Sequence, residues 1–203
     1  MAHSIEKEQH TLIALVQDKP GVLNRVASMF RRRGFNIVSL AVGNSEQAGL
    51  SRMTFVVNGD DRTVSQVAKQ LDKLIDVLEV ADITEARIVA RELAMIKVGT
   101  TPITRGEIIQ IVNLFRANII DVGGDSMVIE ITGEGDKIDA LYNLLFPFGI
   151  IEMSRSGIVA MERGMTNGLT NGYVSQSNGT GNVRRTALKF VRKVVVDGLF
   201  KGD

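Results

Sequence analysis

Apolar residues fill both phases of the alternation through residues 10–16. Leu12, Ala14 and Val16 fall on one side and Ile13 and Leu15 on the other, which predicts a strand buried on both faces. Asp18-Lys19-Pro20-Gly21 breaks that strand. The spacing then changes to threes and fours at Val22, Leu23, Val26, Ala27 and Phe30, the period of a helix, with Pro20 suited to its first turn and Gly34 to its end. Residues 35–42 and 52–57 return to strand patterning, joined by a short Ser/Glu/Gln/Gly stretch of hairpin type. Val64, Val67, Leu71, Leu74 and Ile75 predict a second helix, and residues 77–83 a fourth strand. The order to about Glu85 is therefore βαββαβ, a ferredoxin-like unit.

The same order recurs. Residues 88–98 predict a strand, Ile108, Ile111, Val112 and Phe115 a helix, and residues 118–122 and 127–132 two further strands. Ile138, Leu141, Leu145 and Phe148 form another helical stripe, and residues 150–161 predict one last strand. Some letters repeat as well: Phe30-Arg31-Arg32-Arg33-Gly34-Phe35-Asn36-Ile37-Val38 corresponds to Phe115-Arg116-Ala117-Asn118-Ile119-Ile120, each a helix end feeding a strand. The fold class expected is α+β, two tandem βαββαβ ferredoxin-like domains at 9–86 and 87–163. Residues 164–182 carry no charge and consist of Gly, Asn, Ser or Thr at 14 of 19 positions, which reads as a flexible linker. Beyond it Leu188, Val191, Val195 and Leu199 share one face of a short basic amphipathic helix, so 164–203 is expected to be a linker and tail.

Composition narrows the chemistry. A 44% hydrophobic and 23% charged chain of 203 residues has the makings of ordinary packed cores. Cysteine is absent, and the two histidines, His3 and His10, fall before or at the start of the first strand, so thiolate chemistry and the usual general base are missing from the folded body. The formal charge is +1, but residues 183–203 hold six basic and two acidic residues, which leaves 1–182 at −3. No apolar run approaches the roughly 20 residues of a membrane helix, and the first ten residues lack a signal peptide's apolar stretch, so a cytoplasmic protein is expected.

Catalytic motifs fail in turn. There is no phosphate-binding P-loop and no nucleophile elbow, and Gly133-Glu134-Gly135 lacks the third glycine of a dinucleotide fingerprint, so Gly135 is read as opening a helix. Asp60-Asp61 sits between a strand and a helix, where capping is the favoured use. Arg31-Arg32-Arg33 could meet phosphate, but a helix C-terminus also favours positive charge, and a solvated face is the commoner outcome. Asp18-Lys19-Pro20-Gly21-Val22-Leu23 is the most informative segment, because it joins a strand to a helix whose first N–H groups are free to hold a carboxylate. Asp18 can pair with an ammonium, Gly21 admits close approach, and Val22 and Leu23 offer apolar contact, which together fit a free apolar amino acid. A plain tight turn explains the Pro-Gly pair as well, and on the residues alone it ranks ahead of the ligand loop.

The run Asp18-Lys19-Pro20-Gly21-Val22-Leu23-Asn24-Arg25-Val26, followed by Arg33-Gly34-Phe35-Asn36-Ile37, resembles the ACT-domain pattern. Further along, Leu50-Ser51-Arg52-Met53-Thr54, Gln70-Leu71-Asp72-Lys73-Leu74, Ala90-Arg91-Glu92-Leu93, Ile96-Lys97-Val98, Phe115-Arg116, Ile120-Asp121-Val122, Glu130-Ile131-Thr132-Gly133, Arg155-Ser156-Gly157 and Arg163-Gly164 are similar, in order, to the regulatory small subunits of acetolactate synthase. The resemblance spans about His10 to Arg163.

The resemblance implies a non-catalytic subunit that binds the catalytic large subunit, raises its activity and makes it sensitive to valine or another branched-chain amino acid. It implies no cofactor here, with thiamine diphosphate, Mg and FAD on the catalytic partner. It also implies a homodimer through the ACT domains, with the effector between the strand-to-helix loop of one chain (Asp18, Pro20, Gly21, Val22, Leu23) and the second strand of the other (Asn36, Ile37). Asp18 stands where some relatives carry Asn; an acid also accepts from the ligand's ammonium. The tail after Gly164 matches nothing in the family; it reads as a docking helix for the catalytic subunit, a nucleic-acid or membrane-surface contact, or an inert extension, and its apolar stripe favours a protein contact. The rival expectations are a free-standing amino-acid sensor acting on another protein and, more remotely, an enzyme using scattered carboxylates. Retention of a pyruvate-converting partner on purification separates them.

Overall fold

The computed structural model describes residues 9–164. The linker and terminal helix expected beyond Gly164 lie outside the described residues, as do residues 1–8. The chain divides into two compact units. Ile88–Met161 forms one, and residues 9–87 with 162–164 form the other.

In the first unit β1 (Gln9–Gln17) leads into α1 (Val22–Arg33), β2 (Ile37–Asn44), β3 (Leu50–Asn58), α2 (Asp61–Asp72) and β4 (Val77–Asp82). The four strands order as β2-β3-β1-β4, with antiparallel neighbours, so β2 and β4 are the sheet edges. One face carries both helices. Leu12, Ala14 and Val16 from β1 and Met53, Phe55 and Val57 from β3 pack there against Val22, Val26 and Phe30 of α1 and Val64, Val67 and Leu71 of α2. Phe30 stacks on Phe55 at 5.4 Å between ring centroids. The other phase of the alternation is buried too: Ile13, Leu15, Val56, Ala81 and Ile83 are all under a tenth exposed. Arg52 and Glu79 flank Leu15 on that face, through the pairs Leu15↔Arg52 and Leu15↔Glu79. Burial pushes the Glu79 carboxyl up to about 7, partly offset by the nearby Arg52 guanidinium.

Three helix boundaries come from local chemistry. Gly21, at φ 85, is the N-cap of α1, so Pro20 precedes the helix rather than sitting in its first turn. Gly34, at φ 69, ends the helix, donating to the Arg31 carbonyl while Phe35 donates to that of Phe30. Asp60 caps α2 as expected, its Oδ1 accepting from the Thr63 amide at 2.8 Å. Helix α2 stops at Asp72, short of the predicted Leu74 and Ile75. Ile75 is 81% exposed because the following turn carries Asp76 inward instead, where it meets Arg25.

The second unit repeats the order. It comprises β5 (Ile88–Gly99), α3 (Arg105–Leu114), β6 (Asn118–Val122), β7 (Ser126–Gly133), α4 (Gly135–Leu145), a single 3-10 turn (Phe146–Phe148), β8 (Ile150–Arg155) and β9 (Val159–Glu162). Strand order is β6-β7-β5-β8, with β9 pairing β5. Gly135 opens α4 as read from the sequence. The single last strand predicted for residues 150–161 is two, because Gly157 turns the chain at φ 80. Arg155 holds the end of β8 in place. Its Nε and Nη2 donate to Glu92 Oε2 on β5, and its Nη1 to Asp139 Oδ1 on α4 at 2.8 Å.

Candidate effector-binding loop

The loop between β1 and α1 is fixed at both ends by backbone hydrogen bonds. The Gln17 amide donates to the Asp76 carbonyl and the Asp18 amide to the Gly49 carbonyl, both at 2.8 Å, so the loop leaves the sheet in one direction. The Lys19 amide then donates back to the Gln17 carbonyl, and Val22 N–H to the Lys19 carbonyl at 3.3 Å. That tight sequence requires the left-handed backbone of Gly21, where an L side chain would be strained. The first turn of α1 contains neither a side-chain cap nor an acidic residue. The amides of Leu23 and Asn24 therefore present a positive helix end toward whatever occupies the loop.

Asp18, Pro20 and Gly21 are exposed at this end, and Leu23 is 47% exposed. Val22 is not available as a side-chain contact. It is 3% exposed and packed in the core, so of the two apolar side chains expected to meet a ligand, Leu23 alone stands on the surface. One neighbour escaped the sequence reading. Arg25 Nε donates to Asp76 Oδ2 at 2.6 Å, and its Nη1 lies 3.5 Å from where a Gly21 Cβ would stand. The arginine's i+4 spacing from Gly21 was visible in the sequence, but Asp76, 51 residues away, was not a foreseeable partner.

Asn36 and Ile37 are at the other end of the same sheet. Because Gln17 pairs with Leu50 and Asn44 with Ser51, β1 and β2 finish at one end, whereas Ile37 pairs with Val57 at the opposite end. The 12-residue α1 separates the two groups by roughly 18 Å. Asn36 is exposed, Ile37 half-buried, and β2 keeps one edge unpaired by any strand of its own sheet. A β-bulge at Val38 offsets the strand after Ile37. One chain thus does not bring the seven residues together.

The corresponding loop of the second unit is closed by its own side chains. Thr101 and Thr104 bond each other reciprocally, with the Thr101 amide to Thr104 Oγ1 at 2.9 Å and the Thr104 amide to Thr101 Oγ1 at 3.2 Å. Arg105 spans the mouth to the carbonyls of Gly123 and Gly124. Among the described residues no group of three or more His, Asp and Glu could hold a metal ion, and no helix is long and apolar enough to cross a membrane.

Comparison with known proteins follows the same division. Residues 12–79 match the family described as AHAS small subunit-like ACT domain, and residues 91–164 match the one described as small subunit of acetolactate synthase. The chain is 55% identical to a probable acetolactate synthase small subunit of Archaeoglobus fulgidus over 77% of its own length and 98% of that protein. It is 54% identical to the acetolactate synthase small subunit of Mycolicibacterium smegmatis, over 76% of this chain and 91% of that one. The crystal structure of the acetolactate synthase small subunit from Thermotoga maritima superposes with a TM-score of 0.73 at 45% identity, covering 78% of this chain and 99% of that one. With two βαββαβ units in the order and extent of these relatives, the chain belongs to the family of acetolactate synthase small subunits.

Proposed function

We propose that this chain is the non-catalytic regulatory subunit of an acetolactate synthase holoenzyme. It docks on the catalytic large subunit, raises that subunit's activity and makes it sensitive to valine, with leucine and isoleucine as the alternative effectors. Thiamine diphosphate, Mg and FAD belong to the catalytic partner in this reading.

The observation that carries the effector site is the placement of its two halves at opposite ends of one sheet. Two copies aligned antiparallel along β2 put the start of one β2 beside the end of the other. The end of β2 is also where β1 finishes and the Asp18–Leu23 loop begins, so a homodimer brings Asn36 and Ile37 of one chain to the loop of its partner. The chemistry then matches a free branched-chain amino acid group by group. Its carboxylate accepts from the Leu23 and Asn24 amides at the α1 terminus, its ammonium pairs with Asp18, and its side chain rests on Leu23. The Asn36 amide, which both donates and accepts, completes the polar contacts. Pro20 and Gly21 fix the loop, and Val22 contributes through the backbone while its side chain anchors the helix below.

Reconstitution tests this directly. The catalytic subunit is assayed for pyruvate consumption alone, with this chain, and with this chain plus valine. A rise on adding the chain and a fall on adding valine are expected; an unchanged rate in both additions removes the regulatory role and leaves a sensor of another protein.

A further inference from the structure

A second cleft lies between α1 and α2, away from the effector loop. It encloses about 440 Å³ and is lined by Met29, Arg32, Arg33, Gln70, Lys73 and Leu74. The volume is in the range of sites for small molecules, roughly 300 to 1,000 Å³. Three of the six side chains are cations, and the described part of the chain carries no comparable excess of charge overall. Arg33 Nη2 donates to Gln70 Oε1 at 3.1 Å, so one lone pair of that amide oxygen is taken within the lining itself, and the Gln70 NH2 is a further donor. Arginine and lysine only donate. The polar lining is accordingly a set of donors, over an apolar floor of Met29, which is buried, and Leu74.

Helix ends explain why cations occur here, but not why they converge. Arg31, Arg32 and Arg33 all lie in the last turn of α1, where positive charge is favoured, and Gly34 and Phe35 bond the Arg31 and Phe30 carbonyls through the backbone, so those two need no side chain. Arg31 is not among the residues that line the cleft, whereas Arg32 and Arg33 line it together with Lys73 from the end of α2. Assembling three like charges around one space is unfavourable without an anion to offset them. A single carboxylate uses one guanidinium; three cations and an amide donor fit an acceptor-rich polyanion, and guanidinium geometry matches phosphate oxygens in pairs.

We propose that the α1–α2 cleft is a binding site for a phosphate-bearing small molecule, with Arg32, Arg33 and Lys73 holding the phosphates. Titration calorimetry of the full chain with inorganic pyrophosphate and with tripolyphosphate tests it. Arg33→Gln and Lys73→Gln should each weaken binding by about fivefold or more, the loss of one charge-assisted contact. Arg31→Gln removes the same charge from the same helix turn without touching the cleft, and should change affinity less than about twofold. Arg33→Lys should fall between the parent and Arg33→Gln. Melting curves of the four variants check that each remains folded. Absence of measurable binding to either anion overturns the site, and so does an Arg31→Gln loss as large as that of Arg33→Gln, which would mean a diffuse patch.

Discussion

The two units are built to one plan and differ at the places where a ligand or a partner can reach them. Each has a residue in the left-handed region between its first helix and its edge strand, Gly34 at φ 69 and Arg116 at φ 52. An Asn-Ile pair stands at the start of each edge strand, Asn36 just ahead of β2 and Asn118 opening β6, and each strand then bulges by one residue, at Val38 in β2 and Ile120 in β6. The asparagines nevertheless have different uses. Both are exposed, but Asn118 lies within its strand and donates to Glu130 Oε1 on its own sheet at 3.1 Å, whereas Asn36 precedes its strand. The loops differ in the same sense. Thr101, Thr104 and Arg105 close the mouth above α3, and Gly21 leaves the end of α1 uncapped. The outer sheet faces differ too. Ile13, Leu15 and Val56 are buried in the first unit, while Met95 and Thr132 are exposed in the second. A duplicated fold thus has one copy uncapped at its first helix and the other closed there by its own side chains.

The largest effect should come from closing the open copy. Gly21→Asp forces an L residue into the left-handed region and sets a negative charge at the uncapped α1 end, the place proposed for the effector carboxylate, so valine binding measured by calorimetry should be abolished. Activation of the catalytic subunit should survive. Retained affinity would mean that the uncapped α1 end is not the effector site.

Next in size is the paired test of the two asparagines. Asn36→Leu should weaken valine inhibition by about 1 to 3 kcal/mol, the cost of leaving a partner group unmatched, with the dimer intact by light scattering. Asn118→Leu, at the equivalent position of the closed unit, should leave inhibition unchanged. Equal losses in both would dissolve the distinction between the units.

The buried outer face of the first unit should show in the pH dependence of stability. Glu79 titrates near 7 when folded against 4.5 for the free group. Between those values the folded state holds the proton that the unfolded state has released, so this group lowers stability as pH rises from 4.5 through 7. Glu79→Gln should therefore melt closer to the parent at pH 5 and above it at pH 8. A constant difference at both pH values would refute the raised titration.

The smallest effect belongs to the closed loop. Thr104→Ala removes one of the two reciprocal hydroxyl contacts and should cost about 1 kcal/mol of stability, read from denaturant unfolding, without altering valine binding. A change in effector affinity would show that the two loops communicate.

Much of this molecule was legible in the order of its residues. Spacings of two and of three to four are local, so they located the helices and the strands β1 to β7 of both units, though not the break between β8 and β9, and the buried positions of α2, Val64, Val67 and Leu71, are among those the periodicity marks. Pro-Gly and Arg-Gly punctuation located the ends of α1, and Asp60 its capping role, because caps and turns are decided within four residues. The Asp18–Leu23 segment stood out for the same reason, and the ordered set of short matches carried the family.

What the tertiary structure alone decided depends on residues far apart in the chain. Val22 looked available to a ligand, but packing of α1 on the sheet buried it and left Leu23 outside. Asp76 rather than Ile75 turned inward because Arg25, 51 residues earlier, meets it there. Arg155 reaches Glu92 across 63 residues, and Arg33 reaches Gln70 across 37. No periodicity encodes such pairs, since register and helix packing choose them only once the sheet has formed. The same holds for the distance between Gly21 and Asn36. Sequence placed both in one motif, but the direction of the strands set them at opposite ends of the sheet, because β1 and β2 run parallel on either side of β3.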